Sequence, residues 1–325
     1  MDTIATVTLN PALDVNTTTE KVRPTHKLRC SAPEIEPGGG GINVARVLHA
    51  LGADVTAIFP SGGAPGATIE KLLRDAGVPI VPVLIAGTTR ENIAIEETSS
   101  GAQYRFVLPG PALFPDDLEH LFDALRALPS KPTCLVLSGS LPPGCDPSVL
   151  ARLAEFCRGA DEKLVIDTSG PALAGCEGAR AYLIKPSLRE LEELIGRKLD
   201  TEADEAAAAH ELVKRDFAEV VVVSLGGRGA LLASAEETIR MAALPVPPGG
   251  GTMGAGDAMV AALTLATARG YALADALRFG VAAGAAALMT PPAELVRRED
   301  VERLYATALA GSGSSTETGS SQNRP

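Results

Sequence analysis

Short apolar, β-branched runs alternate along this chain with helix-length amphipathic segments, and that alternation limits the fold more than any other feature. The strand-like runs lie at residues 3–9, 55–59, 134–138, 163–167, 181–185 and 220–225. Helical periodicity occupies 41–51, 67–75, 116–128, 147–157, 201–215, 256–268 and 273–288. Strands separated by helices pair in parallel, and a parallel sheet needs helices on both faces. Residues 220–223 are Val at every position, as a strand buried on both faces requires. The sequence predicts an α/β fold with a mainly parallel sheet, whose ligands bind beyond the carboxyl ends of its strands.

Composition narrows the function classes. A length of 325 residues allows one large α/β domain or two smaller ones. The formal charge of −11 leaves no surface suited to a nucleic-acid backbone, so no nucleic-acid partner is expected and any bound anion must sit in a local site. Five widely spaced cysteines without a Cys-x-x-Cys read as free thiols of a reducing cytoplasm. The first residues lack a signal-peptide pattern, and no run of about 18 apolar residues occurs, so a cytoplasmic protein without a membrane partner is expected. Residues 311–325, rich in Ser, Gly and Thr, cannot offset their ordering entropy by burial and read as a disordered tail. Two stretches break the alternation, about 15–35 and 88–108. The second holds strand-like pieces at 92–97 and 103–108 around Ser99-Ser100-Gly101, a hairpin signal. At period two, Lys27 and Arg29 share one strand face, and Arg105 alternates with Tyr104 and Phe106. A small β lid carrying inward cations is the simplest reading.

Two glycine clusters carry the chemical signals. Gly38-Gly39-Gly40-Gly41-Ile42-Asn43 leads into a helix; its glycines let a ligand approach the backbone, and a helix start offers free N–H groups. A flexible turn is the bland alternative, but four glycines and an Asn on the first helical turn exceed what a connector needs. The second cluster, Gly249-Gly250-Gly251-Thr252-Met253-Gly254-Ala255-Gly256-Asp257, also runs into a helix. N–H groups of Gly254, Ala255 and Gly256 suit phosphate oxygens there, and Asp257 stands where it can take a proton from an attacking hydroxyl. Asp is equally a favoured N-cap, and local sequence leaves both readings open. The absence of Gly-Lys excludes a Walker A loop, and neither His-Arg-Asp nor Asp-Phe-Gly of the protein kinases occurs. Gly249, Gly251 and Gly254 fit G-x-G-x-x-G, but Val246-Pro247-Pro248 stands where a dinucleotide site needs a buried strand. His26, His49, His120 and His210 show no metal spacing, and no G-x-S-x-G occurs.

The pairing of Gly38-Gly39-Gly40-Gly41-Ile42-Asn43-Val44-Ala45 with Gly254-Ala255-Gly256-Asp257 resembles the two signatures of the PfkB (ribokinase-like) carbohydrate kinases. The similarity extends to Leu9-Asn10-Pro11-Ala12-Leu13-Asp14, Lys27-Leu28-Arg29, Tyr104-Arg105-Phe106, Ser138-Gly139-Ser140-Leu141-Pro142-Pro143-Gly144 and Val222-Val223-Ser224-Leu225-Gly226. It covers about residues 3–310 and is strongest toward the phosphosugar branch, in particular the minor, Pfk-2 type of 6-phosphofructokinase. The resemblance implies a ribokinase-like three-layer sandwich over residues 1–310 with a small β lid. It also implies transfer of phosphate from ATP to the C1 hydroxyl of fructose 6-phosphate, with Mg²⁺ and often K⁺.

By the same resemblance Asp257 is the catalytic base, and Gly254, Ala255 and Gly256 hold the transferring phosphoryl charge. Asp14, Asn43 and the Gly39 and Gly40 backbone hold sugar hydroxyls. Lys27, Arg90 and Arg105, with Ser140 favoured over Ser138, hold the substrate phosphate. An isolated surface cation is ordinarily just solvated, but here several converge on accessory strands. Lys185, Ser224, Gly226 and Gly229 match the nucleotide end. The family's Asn-x-x-Glu stands here as Ser187-Leu188-Arg189-Glu190; Glu190 keeps its place toward Mg²⁺-bound water, while Ser187 reaches less far than Asn. Met289-Thr290-Pro291-Pro292-Ala293-Glu294 departs from the usual loop near the K⁺ site. Two relatives in function, 1-phosphofructokinase and tagatose-6-phosphate kinase, share these motifs. A ribose kinase would not need Lys27, Arg90 and Arg105 together. A non-catalytic sugar-phosphate-binding regulator would be marked by loss of the base, which is present. The lid strands imply a homodimer, since an uncovered sheet edge invites pairing.

Overall fold

The computed structural model describes residues 2–160, 162–247, 254–291 and 294–312. In chain order its strands are β1 (Thr3–Val7), β2 (Ala12–Thr19), β3 (Glu34–Gly38), β4 (Asp54–Ser61), β5 (Ile80–Leu84), β6 (Arg90–Glu97), β7 (Gln103–Val107), β8 (Cys134–Ser138), β9 (Lys163–Asp167), β10 (Ala181–Ile184), β11 (Ala218–Ser224), β12 (Ala230–Ala233) and β13 (Thr238–Met241). Nine of them form one sheet in the order β13-β12-β11-β10-β9-β8-β1-β4-β5. Pairing is parallel from β5 to β11 and antiparallel through β12 and β13.

The all-Val run behaves as its composition requires. Val220 and Val222 pack into one apolar cluster, Val221 and Val223 into the other. Because side chains alternate across a strand, those clusters are the two faces of the sheet. The first contains residues of the helices Gly40–Ala50, Ala255–Ala268 and Leu273–Ala287; the second contains residues of Pro115–Arg126, Ser148–Ala160 and Glu202–Lys214. Each buried Val contributes about 1.5–3 kcal/mol of transfer free energy before entropy is counted. The layers are a three-layer α/β sandwich. Close approach on the first face depends on one glycine: a Cβ at Gly280 would lie 2.9 Å from Leu263 Cγ, so any larger residue there forces the helices Ala255–Ala268 and Leu273–Ala287 apart.

Periodicity in the sequence does not mark β5, β12 or β13, nor the helix Arg298–Ser312. β5 carries Pro82, which removes a ladder donor and is tolerated because β5 is an edge strand. That final helix extends past residue 310; residues 313–325 lie outside the described residues, as do Pro248, residues 249–253 of the second glycine cluster, and Pro292 and Ala293. All five cysteines are free thiols, and no helix of the described residues is long and apolar enough to cross a membrane.

The lid is a separate four-stranded sheet in the order β3-β2-β6-β7. Its hairpin β6–β7 turns at Ser99-Ser100-Gly101, with Gly101 at φ 73. Register divides the sheet into rows. Glu36, Asp14 and Asn92 stand side by side, as do Glu34, Asn16, Ala94 and Arg105, and these two rows share a face. The intervening row, on the opposite face, is Ile35, Val15, Ile93 and Phe106. One expectation fails here. Lys27 and Arg29 do not share a strand face, because residues 20–33 contain no strand and both side chains are exposed.

Candidate active site

The site lies where the carboxyl ends of the parallel strands meet the start of the helix Ala255–Ala268. Gly254 caps that helix with φ 80, a left-handed backbone that glycine adopts without a Cβ penalty. The first intrahelical bond of the cap runs from Ala258 N–H to Gly254 C=O at 2.8 Å. The N–H groups of Ala255, Gly256 and Asp257 therefore have no carbonyl of their own helix to bond, as at any helix start. They form a donor cluster reinforced by the positive end of the helix dipole.

That helix start separates two cavities. Gly254 and Asp257 line a cavity of about 250 Å³ under the lid, together with Asp14, Asn43, Arg46, Asn92 and Arg105. Ala255 and Gly256 line a larger cavity of about 670 Å³, together with Ser224, Gly226 and Gly229. A polar chamber and an apolar one thus share a wall of N–H donors and one carboxylate.

Asp257 accepts a hydrogen bond from Asn43 Nδ2 at 2.9 Å. Burial pushes its carboxyl up to about 7; the like charge of Asp167 adds to the rise, while Asn43 and Lys185 oppose it. Across the wall, Lys185 Nζ pairs with Asp167 Oδ1 at 3.1 Å and sits 3.8 Å from where a Gly256 Cβ would be. Burial works against the Lys185 charge, but Asp167, then Glu190 and Asp257, hold its pKa above the ordinary value, so it stays an ammonium. Ser138 Oγ donates to the other Asp167 oxygen at 3.4 Å.

The remaining sugar-side residues are tightly built. Asp14 Oδ1 accepts from Asn92 Nδ2 at 2.9 Å, and burial raises the Asp14 carboxyl against the pull of Asn92 and then Arg90, Arg46 and Arg105. Gly39, at φ 114, caps the helix Gly40–Ala50 and puts Asn43 on its first turn. A Cβ at Gly40 would meet Ser138 Oγ at 2.3 Å and Gly139 N at 2.8 Å, so no other residue fits there. Ser140 is exposed and its hydroxyl accepts from Asn10 Nδ2 at 3.1 Å, whereas Ser138 is buried and committed to Asp167.

Three candidate residues stand differently from expectation. The Arg90 guanidinium donates to the carbonyls of Leu108 and Asn10, each at 3.0 Å, and of Pro11 at 3.4 Å, which staples the points where the chain enters and leaves the lid. Lys27 does not line the small cavity. Ser187 is the N-cap of the helix Leu188–Ile195: its hydroxyl accepts from Glu190 N–H at 3.3 Å, and Glu190 Oε2 accepts from Ser187 N–H at 2.7 Å. Ser for Asn at this position preserves the cap, and Glu190 still acts electrostatically on Lys185 and Asp167. Near the loop at Met289, the buried Thr290 hydroxyl donates to the Ala286 carbonyl at 3.0 Å.

Sequence reasoning missed Asp167, Arg46, Asn92 and Glu205. Asp167 ends a parallel strand, which was the available signal; Arg46 falls one turn after Asn43 on the same helical face. Glu205, buried, accepts from Arg228 at 2.6 Å and from Arg240, and so ties the loop bearing Gly226 and Gly229 to the helix Glu202–Lys214. No signal in the sequence marks it.

Comparison with known proteins agrees with this geometry. Residues 6–294 match the pfkB family carbohydrate kinase domain. The chain is 48% identical over 305 residues to an ATP-dependent 6-phosphofructokinase isozyme 2 of Mycobacterium tuberculosis, covering 94% of this chain and 89% of that one. Identity to the isozyme 2 of Escherichia coli is 42% over 304 residues, 93% of this chain and 98% of that one. A 1-phosphofructokinase of Haloferax volcanii is 37% identical over 279 residues, 86% of this chain and 88% of that one. The crystal structure of the Escherichia coli phosphofructokinase-2 in complex with fructose-6-phosphate superposes with a TM-score of 0.88, at 42% identity, over 95% of this chain and 100% of that one. The same enzyme is known in complex with potassium, TM-score 0.90, and as a tetrameric inhibited form, TM-score 0.88, each at 42% identity over 95% of this chain and 100% of that one. With its sheet order, its two glycine-led helix starts and its cavity-dividing carboxylate, the chain belongs to the pfkB family of carbohydrate kinases.

Proposed function

We propose that the chain transfers the terminal phosphoryl group of ATP to the C1 hydroxyl of fructose 6-phosphate, yielding fructose 1,6-bisphosphate and ADP. The observation that carries this reading is the wall between the cavities. Asp257 faces the polar chamber, and the donor cluster of Ala255 and Gly256 faces the larger one, so hydroxyl and phosphoryl group meet at one helix start. Greater identity to the 6-phosphofructokinases than to the 1-phosphofructokinase supports fructose 6-phosphate over its isomer.

Asp14 and Asn43 orient the sugar, and Asp257 takes the hydroxyl proton as the oxygen attacks. A carboxyl near 7 is well matched to that exchange. Lys185 and the N–H groups stabilise charge on the transferring group, where most of the catalysis in phosphoryl transfer resides. Arg105 and Arg46 supply cations for the substrate phosphate inside the lid; Arg90 keeps part of its fork for the same role, and Lys27 joins them when the lid closes or pairs.

Among the described residues no cluster of three or more metal-ligating side chains stands ready. Mg²⁺ nonetheless fits, because it keeps several waters and rides on substrate phosphates. Asp167, Glu190 and Asp257 outnumber Lys185 at this wall, and the excess negative charge suits a hydrated dication. Glu190 and Asp167 would hold it through water, and when bound it would neutralise phosphate charge. K⁺ stimulation would act through carbonyls near Met289; equal rates in K⁺ and tetramethylammonium would exclude it. The exposed row Ile35, Ile93 and Phe106 on the outer lid face supports a homodimer paired through the lid, which a concentration-independent monomer in sedimentation would contradict. The deciding experiment is ADP release over fructose 6-phosphate, fructose 1-phosphate, tagatose 6-phosphate and ribose. Preference for any of the last three would overturn the assignment.

A further inference from the structure

Phosphoryl transfer as derived so far leaves Asn10 without a role. It is buried in the turn between β1 and β2, and its carboxamide faces two other segments of the chain. Nδ2 donates to Ser140 Oγ at 3.1 Å and to the Leu141 carbonyl at 3.5 Å. Oδ1 is buried and accepts nothing among the described residues; it presses on Gly110, where a Cβ would lie 2.1 Å away. A buried acceptor without a partner is costly, and an apolar side chain in its place would not carry that cost. Turning the amide over would set Oδ1 against the Leu141 carbonyl, acceptor against acceptor, so that carbonyl fixes which end of the amide faces Ser140.

That orientation decides what Ser140 can do. A hydroxyl that receives a hydrogen bond keeps its own proton to give, and no described residue accepts the proton of Ser140, which is exposed. A doubly ionised phosphate ester offers acceptors alone. We propose that Asn10 is a positioning residue that holds the Ser140 hydroxyl as a donor toward the substrate phosphate; the proposal rests on the reading of Ser140 as a ligand of that phosphate. The main chain of Asn10 serves the same end. Its carbonyl accepts from Arg90 Nη2 at 3.0 Å, and the Cβ position of Gly110 is 3.6 Å from Arg90 Cδ. Serine hydroxyl and guanidinium thus hang on one residue, and Gly110 ties that residue to the segment leaving the lid.

The test uses the full-length protein and measures ADP release with fructose 6-phosphate varied at saturating ATP. Asn10→Asp keeps the shape but accepts where the amide donates, so the Ser140 proton turns inward and a negative charge approaches the phosphate. Asn10→Ala removes the donor and frees the hydroxyl to rotate. The fructose 6-phosphate KM should rise about tenfold or more in Asn10→Asp and about threefold in Asn10→Ala, with kcat and the ATP KM within about twofold of the parent. Ser140→Ala should raise the same KM about tenfold, and adding Asn10→Ala to it should change the KM by less than about twofold, because no hydroxyl remains to be aimed. A role in packing alone predicts the opposite: the isosteric Asp is harmless, Ala is harmful, and the two alanine effects multiply. Either of those results, with Ser140→Ala still impaired, overturns the proposal and leaves the function standing. If Asn10→Asp does not fold, the alanine pair decides alone. An unchanged KM in Ser140→Ala overturns the phosphate reading of Ser140 and the proposal with it; a parent inactive on fructose 6-phosphate overturns the proposed function before any variant is compared, and the proposal falls with it.

Discussion

Replacing Asp257 by Asn should remove turnover and stabilise the fold in the same stroke. The carboxyl is pushed from an ordinary 3.8 up to about 7, first by burial and then by Asp167. A carboxyl whose folded pKa exceeds its unfolded value destabilises the fold wherever both states ionise. That cost is full above pH 7, shrinks as pH falls between 7 and 3.8, and vanishes below. At about 1.4 kcal/mol per pKa unit, the full cost is on the order of 4 kcal/mol, or about 6 °C in Tm for a chain of this size. Asn suits the test because its amide oxygen can still accept from Asn43 Nδ2. Thermal melts at pH 8 and pH 5 should show the variant more stable at pH 8, with the gain reduced by more than half at pH 5. ADP release should fall about 10²–10⁴-fold, with fructose 6-phosphate affinity kept. A variant no more stable than the parent at pH 8, a gain independent of pH, or near-normal turnover would each refute the reasoning.

Three further perturbations separate the parts of the site. Asp167→Asn removes the like charge that helps raise Asp257, so the acid limb of kcat should move below pH 7; a limb that stays fixed in profiles at saturating substrates would assign it to substrate phosphate, whose second ionisation lies near 6. Glu205→Gln weakens the tie on the loop carrying Arg228 and should raise the ATP KM about tenfold, with fructose 6-phosphate KM unchanged in initial-rate measurements. Arg90→Ala should raise the fructose 6-phosphate KM by about tenfold or more with ATP KM unchanged; Arg90→Lys, which keeps charge but not the fork onto three carbonyls, should fail to rescue it if the staple is what matters.

What the sequence made legible followed from local rules. The alternation of runs requires the parallel sheet, and the two glycine clusters mark the two helix starts because only backbone conformation and close approach are at stake there. The contacts it could not assign depend on register. Lys185 meets Asp167 because β10 pairs with β9 through Ile184 and Ile166, so that the next residues stand side by side. Read alone, Asp167 is one more acidic residue at a strand end, a common turn former. Arg90 pairs with Ala12 across β2 and β6, and that register delivers its fork to the carbonyls of Pro11 and Asn10; the chain itself shows only a cation at a strand start. The shared strand face expected of Lys27 and Arg29 failed for the opposite reason, since period-two spacing describes a strand only where a partner supplies the ladder, and residues 20–33 have none. Ser187 completes the contrast. As a departure from a motif it reaches less far than Asn, yet its hydroxyl and the Glu190 carboxylate close a reciprocal cap that Asn would also make, so the helix start that keeps Glu190 within electrostatic reach of Lys185 is preserved.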